Sequence, residues 1–115
     1  MTEALPAARP ALAPVFEITD RMIRRALRHR VRYRYVQPSV LRDAQGWRIV
    51  SPCCSRNADP DGGVIDIALL QRLGGGWRLY SRDHAASAWV AHEESEELQD
   101  LLDTLCLDPQ RLFWP

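Results

Sequence analysis

The sequence predicts an α+β domain: an N-terminal helix, a five-stranded antiparallel meander, and a C-terminal helix packed on one face of the sheet. Three observations carry this. Apolar residues recur at helical spacing only towards the two ends, at Ile23, Ala26, Leu27 and Val31 and again at Leu98, Leu101, Leu102 and Leu105. Between them the pattern alternates, or runs apolar, over short stretches broken by Gly, Pro, Asn and Asp. The connections between those stretches are short, which favours antiparallel neighbours and one sheet with both helices over it.

The elements follow in order. Residues 1–15 are rich in Ala and Pro with no apolar period and read as a flexible tail, leaving 16–115 as the one domain that 115 residues imply. Thr19-Asp20 reads as a helix start behind the apolar Ile18, and the helix runs from about Asp20 to Arg30. The period then changes to two at Val31, Tyr33 and Tyr35, a strand that Pro38 places at an edge or bulge. After the turn Asp43-Ala44-Gln45-Gly46, a second strand covers Trp47 to Val50, and Ser51 to Gly63 reads as a loop. Val64 to Leu70 is apolar on both faces apart from Asp66, as a central strand should be.

Three glycines, Gly74 to Gly76, close a hairpin into the strand Trp77 to Tyr80, and the last strand covers Ala88 to Ala91. Ser95 reads as the cap of a helix with Glu96 and Glu97 in its first turn, ended by Asp108-Pro109. The final Leu112-Phe113-Trp114 is too apolar for water and is expected to fold back on the sheet. No internal repeat stands out.

Composition narrows the class. Hydrophobic residues at 46% beside 26% charged argue against disorder. No stretch approaches the ~20 apolar residues of a membrane span, no membrane partner is expected, and no secretory leader is recognisable. Three cysteines, two of them adjacent, do not suit a secreted disulfide scaffold, so a cytoplasmic protein is expected. Net charge is zero, yet every base is an arginine, and charge is polarised along the chain. Arg21, Arg24, Arg25, Arg28, Arg30, Arg32 and Arg34 cluster after Asp20, whereas Glu93, Glu94, Glu96, Glu97, Asp100 and Asp103 cluster near the other end.

From Trp77 the chain reads Trp-Arg-Leu-Tyr-Ser-Arg-Asp-His, then Trp89, the leucine stripe, Asp108-Pro109 and Phe113-Trp114. This resembles the C-terminal half of small uncharacterised bacterial proteins grouped as a domain of unknown function. In those a W-x-L-Y strand, a second Trp strand, a Leu-rich helix and a D…F-W ending recur. The resemblance covers about a third of the chain and implies packing, with no activity attached.

Several side chains are candidates for chemistry. Cys53 and Cys54, completed by His84 or His92, could bind a metal or act in redox chemistry, although adjacent thiols point apart and zinc prefers C-x₂₋₄-C spacing. The bland alternative is two small residues ending a strand, and histidines that cap turns. Asn57, Asp59 and Asp61 imitate half a calcium loop but lack its closing glutamate, and read better as a turn. The arginines Arg21, Arg24, Arg25, Arg28, Arg32 and Arg34 form a basic patch for nucleic acid, with Tyr33 and Tyr35 nearby, or a solvated face that pairs with the acidic helix. Asp66 is the acid expected at a buried position, structural if Arg48 or Arg78 pairs with it and a site candidate otherwise. The expectation is a non-enzymatic accessory or interaction module with a protein partner, a second copy included, and no cofactor. A cysteine-centred redox or metal protein and a nucleic-acid-binding module are the alternatives.

Overall fold

The computed structural model describes residues 18–30, 37–52 and 63–114. Five strands, β1 (Ser39–Asp43), β2 (Gly46–Pro52), β3 (Val64–Leu73), β4 (Gly76–Asp83) and β5 (Ala88–Ser95), form one antiparallel sheet in the order β1-β2-β3-β4-β5. Helix α1 (residues 18–28) precedes them and α2 (Leu98–Leu107) follows. The α+β meander between two helices is therefore present as the sequence predicts.

The alternation of side chains decides which face is covered. Trp47, Ile49 and Ser51 of β2 and Trp77, Leu79 and Ser81 of β4 are buried, each set two residues apart and so on one face. That face meets Ile23 and Leu27 of α1 and Leu98, Leu101, Leu102, Leu105 and Cys106 of α2 in one apolar cluster. Helix α1 sits by β1 and β2, where Asp20 Oδ1 accepts the Trp47 indole N–H at 2.7 Å and Arg24 Nη2 donates to the Val40 carbonyl at 3.2 Å. Helix α2 packs on β4 and β5, and the Cys106 thiol donates to the Ala26 carbonyl at 3.3 Å across the helix pair.

Two bulges adjust the sheet. In β3, Ala68 opposes Ile49 and Asp66 opposes Val50, which leaves Ile67 as the extra residue. Ile67 and Ala68 can then both reach the core while Asp66 stays on the far face. In β5, Glu93 opposes Leu79 and Ala91 opposes Tyr80, so His92 is extra.

The C-terminal tail is held by a single buried carboxylate. Asp108 ends α2 in the left-handed region at φ 41°, and its oxygens accept the backbone N–H groups of Leu112, Phe113 and Trp114 at 2.7–3.2 Å. Phe113 and Trp114, each 2% exposed, join the core, and the Trp114 indole donates to the Leu105 carbonyl.

Two local expectations, the caps at Asp20 and Ser95, are corrected. The first strand of the described sheet is Ser39–Asp43, just after Pro38, and the expected strand at Val31–Tyr35 lies in 31–36, outside the described residues. Asp20 lies inside α1 rather than capping it, because its carboxylate is taken by Trp47. Ser95 still belongs to β5; α2 begins at Leu98 with Glu97 as N-cap, and Asp100 is the acid of its first turn. Ser95 supports that turn from outside, accepting the Glu97 N–H and donating to Asp100. The expected tail at 1–15 lies outside the described residues.

Candidate functional site

The three hairpins are closed in the same way. Arg42 opposes Trp47, Arg72 opposes Trp77 and Arg82 opposes Trp89 across the pairs β1–β2, β3–β4 and β4–β5. Each guanidinium lies over its partner's ring, at 6.0, 5.3 and 4.9 Å from the centroid. Trp114 receives Arg30 at 5.1 Å, so every tryptophan carries an arginine. A planar guanidinium can lie flat on a ring while its edge keeps donating hydrogen bonds, a stacking that the compact ammonium does not offer. The repeat R-x-x-x-G-W at Arg42–Trp47 and Arg72–Trp77 is visible in the sequence once the pairing is known. It is the internal repeat that sequence reading passed over.

The glycines before these tryptophans have a steric reason. A Cβ on Gly46, which has φ +146°, would run into the Leu70 carbonyl oxygen, and one on Gly76 would lie 2.8 Å from the Ser95 carbonyl oxygen. Both glycines sit where the neighbouring strand passes close to the hairpin end.

The face of the sheet away from the helices carries a connected set of charges. Asp66, 20% exposed, lies 3.5 Å from Arg48 Nη1 and 3.6 Å from Arg82 Nε. The Arg48 partner is the one the sequence anticipated. Arg78 instead binds Glu94 at 2.7 Å and donates to the Tyr80 hydroxyl, which donates to Gln71. The hydrogen bonds that Arg78 donates to Tyr80 and Glu94 raise its pKa above the usual value. Asp66 is thus a member of an ion-pair network between adjacent strands.

The remaining candidates do not converge. Cys53, Cys54, Asn57, Asp59 and Asp61 lie outside the described residues, as do Arg32 and Arg34. His84 lies in the β4–β5 turn, where burial and then the nearby Arg82 lower its pKa. His92 is at the β5 bulge, with its ring edge-on to Phe113 at 5.3 Å. Among the described residues no group of three His, Cys, Asp or Glu could hold a metal ion. Cys106 is buried, and desolvation pushes its thiol up to about 11, which suppresses the thiolate that nucleophilic or redox work would need.

Two surfaces remain, one at each edge of the sheet. On α1, Arg21, Arg24 and Arg28 line a cleft of about 410 Å³ with Leu27, Arg30, Gln37 and Pro38. Arg25 turns towards α2 and lines a groove with His29, Asp103 and Cys106. Among the described residues no ion pair ties Arg24, Arg25 or Arg28 to the acidic helix. At the other edge is β5. The β1 edge is short, follows Pro38, and has its Val40 carbonyl covered by Arg24. Strand β5 runs eight residues without proline, and its Ala88-Trp89-Val90-Ala91 stretch carries no charge. Val90 is 48% exposed.

These features define a small α+β domain built on an antiparallel meander, with Asp66 and Glu94 tied into ion pairs across the sheet and two edges of different character. Residues 13–115 match the family model described as Domain of unknown function (DUF3024), and the chain belongs to that family. The likeness read from the C-terminal third therefore widens to nearly the whole chain. No curated protein and no solved structure matches it. No helix among the described residues is long and apolar enough to cross a membrane.

Proposed function

We propose that this domain is a non-enzymatic protein-interaction module that works by strand addition at β5, with a second copy of the chain as the occupant. The observation that carries the reading is the contrast between the two sheet edges. An unpaired strand presents a row of N–H and C=O groups, and proteins that do not use an edge blunt it with charge, proline or a cover. The β1 edge has such protection in Pro38 and Arg24, and among the described residues the Ala88–Ala91 stretch of β5 has none. Charge favours a two-fold antiparallel pairing of β5 with its copy. The acidic residues Glu93 and Glu94 lie at one end of the strand, so antiparallel pairing sets them beside the partner's turn rather than against the same glutamates.

Sedimentation over a concentration series tests this. The expected result is a dimer that Val90→Lys dissociates while circular dichroism stays unchanged. Leu41→Lys, at the exposed Leu41 of β1, should leave the dimer intact. A wild-type monomer throughout, or equal sensitivity to both substitutions, would overturn the reading.

A further inference from the structure

The opposite edge supports a second site. We infer that the cleft between α1 and the start of β1 binds a compact polyphosphate group through Arg21, Arg24 and Arg28. Positions 21, 24 and 28 fall on one side of a helix, and at 1.5 Å per residue the row spans about 10 Å. All three side chains line one cleft, together with the Gln37 amide and the apolar walls Leu27 and Pro38. A row of guanidiniums of that length suits an anion with several linked phosphoryl groups better than a single one, since each guanidinium offers a planar fork to a pair of oxygens.

The local charge is set up for an anion. Among the described residues of α1, Asp20 is the one acid beside the arginines at 21, 24, 25 and 28, and it accepts the Trp47 indole N–H at 2.7 Å. Arg24 is held in place by its bond to the Val40 carbonyl, which reduces the side-chain ordering that binding must cost. Arg30 lines the cleft from a buried position, with Nη1 donating to the Leu27 carbonyl and its guanidinium over Trp114. Its charge adds to the field from beneath, where solvent screens it less than at the surface. Asp103 of α2 lines the neighbouring groove with Arg25, and no described acidic residue lines this cleft, so the neutral net charge of the chain does not describe it.

Calorimetric titration of the full chain with tripolyphosphate, orthophosphate and a single-stranded oligonucleotide of equal charge tests the assignment. Tripolyphosphate is expected to bind at least about tenfold more tightly than orthophosphate, and Arg21→Gln or Arg28→Gln should each weaken it about tenfold. Arg72→Gln, at the β3–β4 hairpin, should leave it unchanged. No saturable binding of tripolyphosphate, or loss that is equal in the Arg72 control, would overturn the site. Tighter binding of the oligonucleotide than of tripolyphosphate would overturn the compact ligand in favour of a nucleic-acid backbone.

Discussion

Asp108 illustrates how much a single side chain can organise. One carboxylate satisfies three successive backbone N–H groups and fixes the path of Phe113 and Trp114 into the core. Hydrogen bonds to a charged group are worth about 1.5–3 kcal/mol each, and orphaned buried donors cost more than the bonds' net worth. Asp108→Ala is therefore expected to lower stability by about 3 kcal/mol or more in urea denaturation, and Asp108→Asn by less, since asparagine tolerates the left-handed backbone. Sequence reading placed the helix stop here but credited Pro109, because nothing in the spacing reveals that a carboxylate will reach forward to residues 112–114. Cys106 makes a pH-dependent contribution. Its thiol is held neutral in the fold up to about pH 11, above its ordinary value of 9.0. The stability this gives is complete below about pH 8.5 and is lost as pH rises towards 11. Cys106→Ala should flatten the fall in the urea midpoint between about pH 8 and pH 10 relative to the wild type. An identical slope in both proteins would show that Cys106 does not titrate as described.

At the scale of elements, the hairpin ends carry the most specific requirement. Gly46→Ala meets the Leu70 carbonyl oxygen at a backbone angle that L residues avoid, so it should cost about 2 kcal/mol or more. Gly74→Ala and Gly75→Ala enter open space and should stay within about 0.5 kcal/mol of the wild type, as thermal denaturation of the three variants will report. Both helices and four of the five strands were legible because their apolar periods are strong, as in Trp47/Ile49 and Leu98/Leu101/Leu102/Leu105. Strand β1 was not, since of Ser39–Asp43 only Val40 is buried and a five-residue edge leaves almost no period. Strand β5 was read four residues short because His92 breaks the alternation at the bulge. The buried end of the chain was legible from its composition alone. Removing Leu112 to Pro115 should cost several kcal/mol, as truncation of one large buried aromatic costs about 3–5. An unchanged denaturation midpoint would place Phe113 and Trp114 outside the core.

For the whole molecule, the two edges of the sheet differ in charge and in cover. Helix α1 brings Arg21, Arg24 and Arg28 to the β1 side, and its Arg25 faces a groove shared with Asp103 of α2. That polarity was legible as a distribution of charge along the chain. Its consequence was not, because only the packing separates Arg21, Arg24 and Arg28, which line one cleft, from Arg25, which shares a groove with Asp103 of α2. The proposed dimer would join the β5 edges and leave one arginine cleft at each far end of a continuous sheet, so the two activities can be tested separately. The most direct test of the strand-addition account is amide hydrogen exchange of the full chain at rising protein concentration. Half of the β5 amides face away from β4, and these should gain protection as concentration rises while those of β1 stay constant. Exchange in Ala88–Ala91 that does not depend on concentration would contradict the account.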